Sequence, residues 1–135
     1  MKAAIIYQKF SPFHLARLQA TQARGRMLGH ELCPIEVAGL QDSYKWPQLA
    51  LDGTNLAVKT LFVESDVESV AYRMLKARLQ VALDEIRPDV VVLPGWGTSP
   101  GLAGLGWCIR KRVPRVLISD SQPILTAYGR AKMYF

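Results

Sequence analysis

Two serine–proline pairs and one histidine are the residues of this chain whose types and spacing could do chemistry. Gly97-Thr98-Ser99-Pro100-Gly101 matches the G-x-S-x-G turn that lifts a nucleophilic serine between a strand and a helix. Such a serine needs a histidine base, and in hydrolases of that design the histidine comes last in chain order. Here His14 and His30 both precede Ser99. Ser99 therefore reads as a helix N-cap followed by Pro100 at the first helical position. A small serine-dependent hydrolase remains the alternative, and its mark would be ester turnover abolished by Ser99→Ala. Ser11-Pro12 repeats the same design, with His14 three residues after the serine. His14 is the one histidine placed at a strand-to-helix junction. It is either a ligand contact or acid–base group, or an incidental loop residue. His30 follows Gly29 and reads as structural.

Other signatures fail on specific residues. Gly95-Trp96-Gly97 begins like a dinucleotide fingerprint, but Pro100 stands where the third glycine belongs, and the motif follows the wrong strand. After the first strand there is no glycine until Gly25. No P-loop is present. A phosphoryl-accepting pocket would need a carboxylate at the end of the first strand, where Gln8 and Lys9 stand. Cys33 and Cys108 are the only cysteines, with no close Cys/His pairing. They read as buried reduced thiols, and no metal site is expected.

The elements that must position these residues follow from periodicity and punctuation. Lys2 to Gln8, Glu31 to Val37, Val58 to Val63, Val90 to Leu93 and Arg115 to Ser119 read as strands. Pro34 marks an irregularity in the second. Ser11-Pro12 opens a helix carrying Leu15, Leu18, Ala23 and Met27, which stops at Gly29. Ser65 and Glu68 read as a capping box for a long helix. Its apolar face is Val67, Val70, Ala71, Met74, Leu79, Ala82, Leu83 and Ile86, and Arg87-Pro88 ends it. Ser99-Pro100 opens a third helix, through Leu102, Leu105 and Ile109. Val90–Leu93 has the unbroken β-branched character of a central parallel strand. Ala38 to Ala57, rich in turn formers, reads as a loop with room for a small hairpin. Strands alternating with helices predict an α/β domain: a doubly wound, mostly parallel sheet of about five strands with flanking helices.

In the commonest order of such sheets the first and fourth strands are neighbours at the switch point. The helices opening at Ser11 and Ser99 would then aim backbone amides and positive dipole ends into one crevice. Gln8 to His14 would line one side of it and Gly95 to Ser99 the other. Asp120, Ser121 and Gln122 would lie alongside, after the fifth strand. Phe10, Phe13 and Trp96 supply aromatic surface. Hydroxyls, one imidazole and one carboxylate complete a set suited to a sugar or nucleotide. The plain alternative is a set of ordinary caps and loops.

The whole-chain totals bound these readings. At 135 residues the chain fits one domain, and a 50% apolar, 21% charged composition reads as globular. No apolar run reaches the ~20 residues of a membrane span. The short run Ala3–Tyr7 is no signal-peptide core, so the expected location is cytoplasmic. The net charge is +6. Arg110, Lys111, Arg112 and Arg115 form the densest basic cluster. It reads either as a contact for an anionic membrane surface, which would make the protein membrane-peripheral, or as cations complementing a helix C-terminus. Arg73, Lys76, Arg78 and Arg87 read as a solvated helix face. Aromatics are not interleaved with the basic residues, and nucleic acid is not an expected partner.

Several segments, in order, resemble one known family. Phe10-Ser11-Pro12-Phe13-His14-Leu15-Ala16-Arg17-Leu18 looks like the start of the N-terminal domain of family-4 (group 1) retaining glycosyltransferases, which have two Rossmann-like domains. Gly29-His30-Glu31, Tyr44-Lys45-Trp46, Pro88-Asp89-Val90-Val91, Pro94-Gly95-Trp96 and Ile118-Ser119-Asp120-Ser121 are similar to features of the same family. The resemblance covers residues 1–122, and 123–135 is a divergent tail. It implies the acceptor-binding half of a nucleotide-sugar-dependent enzyme, with a sugar or lipid-linked sugar as acceptor. Ser11, Phe13, His14, Gly95, Trp96, Gly97, Ser99, Asp120 and Ser121 would be its substrate contacts. In that family the donor is held mainly by a C-terminal domain, which this chain does not contain. A nucleotide sugar therefore becomes a substrate only if a donor-binding domain or subunit is supplied, and the chain would be a fragment, a truncation or a split subunit. A stand-alone α/β binding module without catalysis is the competing expectation. The first alternative implies a crevice open on one side beside an exposed apolar face; the second implies a closed, polar surface.

Overall fold

The first strand, β1 (Lys2–Tyr7), sets the architecture through its alternation. Ala4 and Ile6 are fully buried in the larger of two cores, while Ile5 and Tyr7 pack into a smaller cluster on the other face. A computed structural model describes residues 1–41 and 55–118. Four further strands join β1: β2 (Glu31–Leu40), β3 (Lys59–Asp66), β4 (Val90–Leu93) and β5 (Arg115–Leu117). Every pairing is parallel, and the order is β3-β2-β1-β4-β5. The chain is thus an α/β domain with a five-stranded Rossmann-like sheet, and β1 and β4 are neighbours at the switch point.

Three helices flank the sheet among the described residues: α1 (Pro12–Met27), α2 (Tyr72–Ile86) and α3 (Ser99–Lys111). Helices α2 and α3 share one face. There Leu75, Leu79 and Leu83 of α2, with Ala103, Trp107 and Cys108 of α3, close over Ile6, Ile35, Val37, Val91 and Leu93. Trp107 Nε1 donates to Asp84 Oδ1 at 3.1 Å and ties the two helices together. On the other face the cluster is small: Phe10, Leu18 and Leu56 are its buried members.

Local expectations needed correction where tertiary pairing outweighed local signals. Pro34 causes no bulge. The amides of Glu31 and Val37 point to β1, so by alternation Pro34 turns its ring nitrogen the other way, where β3 begins pairing only at Ile35. No ladder donor is lost. The irregularity lies instead between Ala38 and Leu40. There the Gln8 carbonyl accepts from the amides of both Val37 and Ala38. Gly39 allows a close approach at that point: a Cβ there would stand 2.1 Å from the Val63 carbonyl oxygen. Ser65 and Glu68 cap no long helix. The β2–β3 pairing continues to Leu40↔Asp66 and holds Ser65 in the strand. Asp66 then caps a single 3-10 turn, Val67–Ser69, and α2 starts only at Tyr72. Met74 and Met27, assigned above to apolar helix faces, are exposed, while Leu75 is buried. Arg78 is exposed, as are Arg73 and Lys76, and it also donates to the Leu61 carbonyl and lies over the Phe62 ring. Cys108 is buried but Cys33 only half so, and burial pushes both thiols up from the usual range.

No helix among the described residues is long and apolar enough to cross a membrane. The loop expected within 38–57 falls largely outside the described residues, as do Tyr44-Lys45-Trp46, Asp120, Ser121 and the tail 123–135.

Candidate functional site

The chain leaves β1 at Tyr7 and turns into α1 through a loop fixed at both ends. Phe10, expected as exposed aromatic surface, is instead wholly buried. Its amide donates to Glu36 Oε2 at 2.8 Å, and Thr60 Oγ1 donates to Glu36 Oε1 at 3.2 Å. Glu36 is itself buried, so one carboxylate pins this loop across β2 to β3. Ser11 then caps α1 as expected. The Ser11 amide donates to His14 Nδ1 at 3.1 Å, and the His14 amide donates to Ser11 Oγ at 3.3 Å. This is a capping box in which histidine takes the place usually held by Glu or Gln.

The box defines the state of His14. Nδ1 accepts from the backbone, so it carries no proton and the ring hydrogen sits on Nε2. The ring packs 4.4 Å from Tyr7 and within 6.4 Å of Phe10. Burial first, and the nearby Arg17 charge second, push its pKa below the usual 6.5. Histidine is therefore held neutral.

The second loop, between β4 and α3, is stitched differently. Thr98, not Ser99, is the N-cap: its Oγ1 accepts from the Gly101 amide at 3.2 Å. Ser99 is the first helical residue and is exposed, with Pro100 second. His14 Nδ1 is engaged with Ser11, and among the described residues no hydrogen bond joins Ser99 to a histidine. Gly95 sits at φ +85, a left-handed conformation that favours glycine. The helix start packs on this turn so closely that a Cβ at Gly101 would lie 1.8 Å from the Gly95 carbonyl oxygen.

A cavity of about 430 Å³ opens at the C-terminal edge of the sheet, where β1, β4 and β5 end. Ser11, Phe13 and His14 line it, as expected. Pro94 and Ile118 form the opposite wall. Gly95, Trp96, Gly97 and Ser99 do not line it; Trp96 is exposed in the adjoining turn. The expected pair of amide-donating helix ends is also reduced. On α1 the box consumes the Ser11 and His14 amides, and Pro12 has none. On α3 Thr98 takes the Gly101 amide.

Gln8 and Lys9, within the Gln8–His14 wall expected above, line the cavity, and so do Tyr7, Arg17 and Gln41, which sequence reasoning did not single out. Lys9 is 93% buried, and its Nζ donates to the Gly39 carbonyl at the β2 irregularity. Arg17 lies over the Phe13 ring, 4.1 Å from its centroid. One signal was available for Arg17: it falls one helical turn after both Phe13 and His14. For the burial of Lys9 there was none, because a charged residue just after a strand normally reads as solvated.

A second groove, about 330 Å³, lies between β3 and α2. Its Lys59 and Glu85 neutralise each other as an ion pair, leaving it largely apolar.

No protein-family model matches the chain, and no curated protein matches it. Solved structures do. A UDP-N-acetylglucosamine 2-epimerase matches with TM-score 0.58 at 12% identity, over 96% of this chain and 36% of the other. The UDP-GlcNAc 2-epimerase from Neisseria meningitidis, bound to UDP-GlcNAc, matches with TM-score 0.55 at 12% identity, over 96% and 34%. The enzyme from Methanocaldococcus jannaschii matches with TM-score 0.53 at 16% identity, over 96% and 33%. At these identities the likeness is one of fold. The chain spans about a third of the length of these nucleotide-sugar enzymes and has the fold of one Rossmann-like portion of them.

Proposed function

We propose that this chain is the acceptor-binding half of a nucleotide-sugar-dependent glycosyltransferase of the retaining, two-domain type. The observation that carries the reading is the cavity at the β1/β4 switch point, walled by Ser11, Phe13, His14, Pro94 and Ile118. It sits on a fold that matches part of larger nucleotide-sugar enzymes. A hydroxyl, a neutral histidine with its Nε2 hydrogen, and an aromatic ring are a set that binds sugars through polar and stacking contacts. The epimerases share the fold and favour sugar-nucleotide chemistry in general. The choice of a glycosyltransferase rests on the Phe10–Leu18 segment and the other resemblances in sequence.

A further feature supports this reading over a stand-alone module. Val116, Leu117 and Ile118, along β5 and beside the cavity, are 52%, 43% and 38% exposed. An apolar strip bordering a cavity fits a surface that a donor-binding domain or subunit covers. In this reading 1–122 is the domain, and Asp120 and Ser121, which lie outside the described residues, are among its substrate contacts. The nucleotide sugar is, on the same reading, bound mainly by the donor-binding half, whose cations stabilise the leaving diphosphate. The exposed cations Arg110, Arg112 and Arg115 would face an anionic membrane surface, with Lys111 held back by its 2.8 Å ion pair to Asp84.

Calorimetric titration of the purified chain with nucleotide sugars and with free sugars and lipid-linked sugars tests the proposal. The expected result is saturable binding of an acceptor and weak binding of every donor. Donor binding without acceptor binding would reverse the assignment of sides.

A further inference from the structure

Lys9 and Arg17 bring two cationic side chains to the cavity, and neither forms an ion pair with a carboxylate among the described residues; the buried Glu36 carboxylate accepts instead from the Phe10 amide and Thr60 Oγ1. Lys9 is buried to 93%, yet its Nζ meets a neutral carbonyl, that of Gly39. None of the ion pairs among the described residues involves it. An ammonium removed from water is costly unless an anion compensates it. Arg17 faces the same cavity from the second turn of α1. Phe13 occupies one face of its guanidinium, and its edge donors have no carboxylate among the described residues. That fork suits a planar or tetrahedral oxyanion. His14 adds a neutral donor, and no carboxylate lines the cavity among the described residues.

We infer that the cavity takes an anionic acceptor, one bearing its own phosphate or carboxylate, with Lys9 and Arg17 as the groups that hold that oxyanion. The inference deepens the acceptor-half reading above and rests on it. Arg17 would grip the outer oxygens through its edge, and Lys9 would supply charge from the floor. The aromatic and hydroxyl wall of Tyr7, Phe13 and Ser11 is left for the uncharged body of the ligand. Side-chain charge would hold the oxyanion, because the helix-end amides are mostly taken up in capping.

The test is calorimetry on the full chain at constant ionic strength, with inorganic phosphate, a hexose 1-phosphate, the free hexose and UDP as probes. The expected order is hexose 1-phosphate tighter than the free hexose by about tenfold or more, with phosphate competing. Arg17 is exposed on α1, so R17Q should fold normally and weaken the phosphorylated probe about tenfold. K9M should weaken it further and K9R should largely restore it; if K9M does not fold, R17Q decides. Equal affinity for the free hexose and its phosphate, or an R17Q variant that binds as the parent does, would overturn the inference and leave sugar binding intact. Binding of UDP alone would assign the anion to a donor and overturn the acceptor. Binding of none of the probes would remove the acceptor-half reading together with this one.

Discussion

His14 shows how much one residue's chemistry depends on its cap. The imidazole is held neutral because Nδ1 accepts the Ser11 amide and because burial and Arg17 both oppose a second proton. Its folded pKa lies below the 6.5 of an unperturbed histidine. The unfolded chain therefore takes up a proton first on acidification. This contribution to stability is complete above pH 6.5 and is lost as the pH falls toward the folded pKa. Glutamine at the same position is a normal capping-box residue and does not titrate. We therefore expect H14Q to be nearly as stable as the parent at neutral pH and less sensitive to acid below pH 6.5. Urea unfolding midpoints measured for both proteins through that window check this, and parallel curves would refute it. Position and spacing made Ser11, Phe13 and His14 legible as residues lining the crevice, since a serine–proline cap after a strand is a local signal. The burial of Lys9 and of Glu36 was not legible. Whether a charged residue beside a strand end is solvated or buried is decided by neighbours such as Gly39 and Thr60, which are distant in sequence.

At the level of elements, the β4–α3 junction is the part of the site frame most sensitive to volume. Gly101 presses the start of α3 onto the Gly95 carbonyl, and overpacking against backbone cannot be relieved by a rotamer change. G101A should destabilise by about 3 kcal/mol. G106A on the same helix meets no atom within 4 Å and should be neutral or stabilise by up to about 1 kcal/mol. Thermal unfolding of the pair separates a packing effect from a helix-propensity effect; equal responses would contradict the close approach. The same junction explains why Ser99 was misread. G-x-S-x-G and a serine–proline cap are both local patterns, and Thr98, one residue earlier, satisfies the Gly101 amide better. The false helix start at Ser65 has a similar origin. A capping signal yielded to strand pairing that extends as far as Leu40↔Asp66.

For the whole molecule, the strand order was legible because few topologies are open to alternating strands and helices with right-handed crossovers. That order places β1 beside β4 and so sets the crevice between the loops that follow them. Depth and charge of the crevice were not legible, because they depend on the β2 irregularity and on where long side chains fold back. The nucleotide-sugar structures that share this fold extend about three times as far as this chain, and the exposed strip Val116–Ile118 lies beside the cavity. We propose that ligands meet this protein at the C-terminal edge of β1 and β4. Backbone amide spectra recorded during titration with a sugar phosphate test it most directly. The account predicts that the largest shifts fall on Tyr7, Ser11, His14, Arg17 and Ile118. Shifts gathered instead along Lys59, Arg78 and Glu85, in the groove between β3 and α2, would contradict it.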